Sequence, residues 1–172
     1  MPHPIVKHVD TEVFISAFIP DDRDRIDKND AKCLSFLTKV LSSEPNTRLR
    51  VSFTALGELL YVYATRRDYS TVSLTPFLEY AMQMGNRFEP YSPELKGHPK
   101  NLHEALKTAG DCCEKGKTSH ADAMIVAYAL VDSEAVSLYT QDRHMLNCPI
   151  LNERIRQFRE EHDLSTLRIR EI

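Results

Sequence analysis

The sequence predicts an α/β fold: a three-layer α/β/α domain around a central, mostly parallel sheet of four to five strands. Three observations predict it. The hydrophobic period switches repeatedly along the chain between two residues, as in a strand, and 3.6 residues, as in a helix. The strand candidates are separated by helical stretches of about ten residues or more, long enough to carry a crossover between parallel strands. Hydrophobic residues make up 42% of the 172 positions and charged residues 27%, the balance of a globular chain that can bury one core. No repeat, low-complexity tract or linker divides residues 1–172, so a single domain is expected.

The elements follow in order. Ile5–Val9 is a short strand closed by Asp10, and Val13, Phe14, Ala17 and Phe18 then share one helical face. Pro20–Asn29 is a charged, solvated connection. Asn29 or Asp30 suits the cap of a second helix, with Cys33, Leu37, Val40 and Leu41 facing inward. Leu49–Phe53 follows the turn residues Pro45 and Asn46 as a second strand. Leu56, Leu59, Leu60 and Tyr63 then repeat at i, i+3, i+4, i+7. Leu74, Phe77, Leu78 and Ala81 mark another helix, ended by Gly85 and Asn86. Arg87–Tyr91 is a short strand, and Pro93–Pro99 a turn-rich link. Leu102, Ala105, Leu106, Ala109 and Cys113 define an amphipathic helix that closes near Gly116. Ala121–Val131 is apolar almost throughout, too long for an ordinary strand, and predicts a helix buried on most sides. Ala135–Thr140 is a central strand, Ile150 and Leu151 a brief one, Glu153–Glu161 a helix, and Leu167–Glu171 an edge strand.

Composition narrows the classes. No window approaches the roughly 18 apolar residues of a membrane span. Met1–Asp10 lacks the apolar stretch of a signal peptide, so a cytoplasmic protein is expected. Cys33, Cys112, Cys113 and Cys148 form no C-x-x-C pair and read as small apolar filler rather than a zinc or disulfide framework. The net charge of −3 argues against a stable duplex-binding module but not against an enzyme, because clustered carboxylates attract cations and cations attract phosphate.

Ligands in open α/β sheets bind beyond the carboxyl ends of the strands. Asp10 and Asp142 follow strand candidates directly. Glu58 lies in the first turns of the helix after the second strand, and Asp122 opens the buried helix. Each has a plain structural reading. Asp10 can cap a helix, Asp142 can sit in a turn, Glu58 can be a surface acid, and Ser119–Asp122 matches a capping box. Together the four would repel one another on one rim unless a cation relieved them, and an oxygen-rich site of that kind suits Mg²⁺ or Mn²⁺.

Four stretches carry a family resemblance: VDTEVFISAF at 9–18, SFTALGELL at 52–60, HADAMIVAYAL at 120–130 and LYTQDRHML at 138–146. With them the chain resembles the PIN domains, and among these the VapC-type toxin ribonucleases. The resemblance implies that Asp10, Glu58, Asp122 and Asp142 are catalytic, metal-binding acids. It makes Thr140 the hydroxyl residue near the metal and Thr11 the small hydroxyl residue after the first acid. Glu12 departs from it, standing where the family usually has Asn. The resemblance also implies hydrolysis of phosphodiesters in single-stranded RNA, a small antitoxin partner and a homodimer.

RNA needs basic contacts beside such a site, and Arg143, Arg66, Arg67, Lys115 and Lys117 are the candidates, Arg143 first because it adjoins an acid. Tyr61, Tyr63 and Tyr128 can stack on bases but suit core packing better. His120 and His144 adjoin acids without any histidine–metal spacing, and neither is read as a ligand. The alternative is a non-catalytic PIN-like module that binds RNA or protein. An aspartyl phosphatase is disfavoured, because Glu12 stands where its second aspartate would be.

Overall fold

The computed structural model describes residues 3–19, 28–65, 74–95, 101–116 and 119–172, with the backbone alone for 112–116. In chain order the elements are β1 (Ile5–Val9), α1 (Thr11–Phe18), α2 (Lys28–Ser43), β2 (Thr47–Ser52), α3 (Phe53–Thr65) and α4 (Thr75–Met84). A 3₁₀ turn (Gly85–Arg87) leads to β3 (Phe88–Tyr91), α5 (Leu102–Gly116), α6 (His120–Val131) and β4 (Ala135–Thr140). The short α7 (Arg143–Leu146), α8 (Pro149–Glu161) and β5 (Arg168–Glu171) complete them.

The five strands form one sheet in the order β3-β2-β1-β4-β5, and every pairing is parallel. The chain moves outward from β1 to β3, then returns to the other side of β1 for β4 and β5. Right-handed crossovers therefore put the helices between β1 and β3 on one face and those between β3 and β5 on the other. The packing agrees: α1 contacts α2, α3 and α4, while α5, α6 and α8 contact one another. This is the three-layer α/β/α architecture around a parallel sheet expected from the sequence. Strand order reverses between β1 and β4, and the crevice at their carboxyl ends is the natural ligand position.

Burial explains the element choices. Val6 to Val9 are all buried because β1 is covered on both faces, which is why this segment shows no clean alternation. The helix α6 buries Ala123 and every residue from Ile125 to Val131, as its uniformly apolar sequence requires. Phe14, Phe77 and Phe88 meet edge to face at centroid distances of 5.6 to 6.2 Å. Cys33 and Cys148 are buried, as their reading as filler requires. Among the described residues no helix is long and apolar enough to cross a membrane.

Several expectations need correction. Ile150 and Leu151 are not a strand: Pro149 occupies the first turn of α8, and both belong to that helix. A two-residue apolar pair cannot distinguish the two states by periodicity. Asn29 and Asp30 do not cap α2 but lie within its first turn, which begins at Lys28. Phe53 leaves the second strand and opens α3. Leu60 and Leu78 are about half exposed, at 51% and 49%, and Tyr80 and Met84 complete the buried face of α4 instead. Gly85 does close α4, with φ 56° and ψ −129°, donating its N–H to Ala81 and Met82 carbonyls. Of the Pro20–Asn29 connection, residues 20–27 lie outside the described residues, as do 96–99 of the Pro93–Pro99 link.

Beneath the sheet lies a buried ionic network. Arg50 reaches both oxygens of Asp132 at 2.6 and 2.7 Å and Glu89 at 2.7 Å, while His8 Nε2 lies 2.7 Å from Asp132. Arg159 donates to the carbonyls of Leu130 and Asp132 at the carboxyl end of α6 and to that of Ala135 at the start of β4. A cation there satisfies carbonyls that the helix leaves open. These bonds tie β1, β2, α6 and β4 together below the rim.

Candidate functional site

Asp10 is the first residue past β1 and is 1% exposed. Its N–H donates to the Tyr139 carbonyl at 3.0 Å, extending the β1–β4 ladder by one residue and setting Asp10 beside Thr140. One carboxylate oxygen accepts the Thr11 N–H at 2.6 Å, and the other accepts the Thr140 hydroxyl at 2.6 Å. The same Thr140 oxygen accepts the Asp142 N–H at 2.9 Å. A single hydroxyl thus links Asp10 to the chain that carries Asp142, across 130 positions.

The other acids are held in similar ways. Asp142 caps α7, one oxygen accepting the His144 N–H at 2.7 Å. Glu58, in the second turn of α3, accepts the Thr11 hydroxyl at 2.6 Å. Asp122 forms the capping box of α6: it accepts the Ser119 N–H at 2.7 Å, and Ser119 accepts the Asp122 N–H at 3.1 Å. The plain structural readings of Asp10, Asp122 and Asp142 as capping residues therefore hold as local geometry. Capping uses one oxygen of Asp122 and one of Asp142, and among the described residues the second oxygen of each has no intramolecular donor.

Burial and neighbouring charge shift two of the rim acids in the same direction. Burial raises the Asp10 carboxyl from 3.8 to about 7, with the Asp122 and Glu12 charges adding to the rise and the Thr140 and Thr11 hydrogen bonds opposing it. Glu12 is raised too, by partial burial first and then by Asp142, Asp122 and Glu58. Glu12, the residue that departs from the family pattern, is exposed and adds its charge to those of the acids around it. The signal was positional, since the second residue of a helix begun at Asp10 stays near that rim.

Hard carboxylate oxygens that repel one another are the right donor chemistry for a divalent cation. Yet among the described residues no three His, Cys, Asp or Glu side chains stand close enough around one point to hold a metal ion. The donor types fit; a closed cage is not formed by these rotamers.

The basic candidates fare unevenly. Arg143 is exposed at the start of α7, next to Asp142. Lys115 lies near the end of α5, and Arg66, Arg67 and Lys117 lie outside the described residues. Of the tyrosines, Tyr128 is buried, Tyr63 is half-buried, and Tyr61 is 68% exposed, against the expectation of core packing.

No family model and no curated protein matches the chain. Among solved structures it is similar to a chain in the crystal structure of VapBC2 from Rickettsia felis bound to a DNA fragment from its promoter. The TM-score is 0.53, the identity 13%, and the match covers 98% of this chain and 99% of that one. At that identity the likeness shows a shared fold, the parallel α/β sandwich, over almost the whole length of both chains.

Proposed function

We propose that the chain is a metal-dependent ribonuclease acting on phosphodiesters of single-stranded RNA, and the toxin of a toxin–antitoxin pair. The observation that carries this reading is the hydrogen-bonded arrangement at the strand-order reversal, where the Thr140 hydroxyl donates to Asp10 and accepts the Asp142 N–H while the Thr11 hydroxyl donates to Glu58. The fold shared with a VapBC2 chain supports the toxin half of it. Asp10, Glu58, Asp122 and Asp142 would hold the cation, Mg²⁺ or Mn²⁺, once their side chains rotate toward one another. Such an ion supplies Lewis acidity and a water of lowered pKa at the scissile phosphate.

The chain's own residues prepare that step. Thr140 and the Thr11 N–H orient the two oxygens of Asp10, and the Thr11 hydroxyl orients Glu58. The capping bonds of Asp122 and Asp142 fix each carboxylate by one oxygen and leave the other for a ligand. Arg143 lies beside Asp142 for contact with RNA phosphate.

Cleavage of a mixed single-stranded RNA pool tests the reading. The wild type is expected to cleave with Mg²⁺ or Mn²⁺ and not with excess chelator. Asp10→Asn is expected to lose at least about a hundredfold in rate, beyond what a supporting hydrogen bond contributes. Cleavage unchanged by chelator, or by Asp10→Asn, would overturn it. Binding without any cleavage would favour the non-catalytic module.

A further inference from the structure

The cations of this net-acidic chain are not spread evenly. Register places Lys7, Ser137 and Arg168 on one rung of β1, β4 and β5, with Tyr139 and Arg170 on the next rung of the same face. Beside them α2 presents Lys28, Lys32 and Lys39, spaced i, i+4 and i+11 along one side. Two adjoining grooves, of about 670 and 390 Å³, share Lys7 and Tyr139 and run between these rows. Their walls carry six cationic side chains, the four lysines with Arg168 and Arg170, against Glu44 and Glu171, an excess of four (6 − 2) on a chain of net charge −3. Glu44 is already paired with Lys7 at 2.5 Å. Lys28, Lys32, Lys39, Arg168 and Arg170 are all exposed, and none has an ion-pair partner among the described residues.

The floor is aromatic. Phe36 and Tyr139 lie with centroids 4.6 Å apart at 35°, both half-buried, and Lys7 Nζ is 5.6 and 5.5 Å from the two rings. The groove also meets the acidic rim. Tyr139 directly precedes Thr140, whose side chain points through the opposite face to Asp10, and Gln141 Nε2 donates to the Ile172 carbonyl where the two regions join.

The geometry points to this sheet face as a track for a single-stranded nucleic acid, with phosphates on the α2 and β5 cations and a base on the Tyr139–Phe36 pair. Cations along a groove track a backbone, and aromatic faces take bases without regard to sequence. An acidic peptide would use the cations but leave the aromatic floor without a purpose. The inference goes beyond the ribonuclease reading, since binding here needs no cleavage.

Fluorescence anisotropy with a labelled 12-nucleotide RNA of mixed sequence, in EDTA, tests it on the full chain. The wild type is expected to bind with an affinity that falls as salt rises. Replacing Lys32, Lys39, Arg168 and Arg170 by Ala together is expected to weaken binding about tenfold or more and to flatten the log–log salt slope by about 0.7 per lost phosphate contact. Tyr139→Leu is expected to weaken it at least about fivefold. If that variant unfolds, the four-cation variant decides alone, because its positions are exposed. Arg154→Ala/Arg156→Ala on α8 should bind as the wild type does. No wild-type binding, an unchanged four-cation variant, or a Glu-rich 12-residue peptide that competes as well as RNA would overturn the inference. RNA cleavage by the wild type, with binding untouched in the four-cation variant, would sink the groove and leave the ribonuclease standing. Groove-dependent binding without cleavage under any cation would do the reverse.

Discussion

Asp10→Asn is expected to stabilise the cation-free protein at pH 8 by about 2–4 kcal/mol while it removes the activity. The Asp10 carboxyl is almost completely buried, and it lies at about 7 rather than 3.8 because burial and the neighbouring Asp122 and Glu12 charges disfavour its ionised form. An acid raised in the folded state binds its proton more tightly there than in the unfolded chain. Folding stability is therefore lost as pH rises from about 4 to about 7, and this group costs little more above that range. The full difference corresponds to about 4 kcal/mol, the upper end of the expected gain, because neighbouring groups relax. Asparagine removes the charge, can still accept from Thr11 N–H, and remains a good helix cap. Thermal melts in EDTA at pH 5 and pH 8 check this. The wild type should be weakened at the higher pH relative to the variant, and the midpoint difference at pH 8 should be about 5–15 °C by thermal melting. A variant less stable than the wild type at pH 8 would show that Asp10 is simply a structural cap.

Asp132→Ala is expected to cost about 3–5 kcal/mol, the largest loss for a residue away from the acidic rim. Asp132 is 2% exposed and accepts from both His8 and Arg50. Burial alone would push its carboxyl up, but those hydrogen bonds and charges hold it down to about 2. Burial also holds His8 below its ordinary 6.5, against the opposing pull of Asp132 2.7 Å away. Truncation strands the Arg50 guanidinium, 3% exposed at its side chain, with only Glu89 and Glu134 for counter-charge. The pH signs follow from the same shifts. The Asp132 contribution is fully present above about 4 and lost as pH falls through about 2. Below its ordinary 6.5, His8 also costs stability, because the unfolded chain takes up the proton more readily than the buried ring. Urea denaturation of the wild type and Asp132→Ala between pH 3 and pH 7 tests this. Their stabilities should converge toward acid, and a gap that stays constant down to pH 3 would contradict it.

Much of this fold is legible in the sequence because period and length coincide there. Ile5–Val9, the Ala121–Val131 run and Ala135–Thr140 each offer only one reading consistent with both. Ile150 and Leu151 fail because two residues carry no period, and Pro149 marks a helix start as readily as a strand end. Leu60 and Leu78 fail because an apolar residue on a helix need not face inward, and local pattern does not say which side a neighbouring element covers. Asp10, Asp122 and Asp142 stand at helix starts as their sequence positions predict, while Glu58 lies inside α3. Their partners were less legible. Thr140 serving both Asp10 and Asp142, or Thr11 reaching Glu58, depends on contacts across 130 and 47 positions that no local pattern encodes. The basic groove was hidden for the same reason. Lys7, Lys32 and Arg168 are far apart in sequence, and only the strand register and the path of α2 align them.

A crystal of the full chain soaked in Mn²⁺, with anomalous scattering measured at the manganese edge, most directly tests whether the carboxylate rim holds a cation. The expected result is an anomalous peak bounded by Asp10 and Asp142, with side-chain rotation bringing Glu58 or Asp122 toward it. A fully ordered rim with no peak, or manganese bound only elsewhere on the surface, would contradict the account.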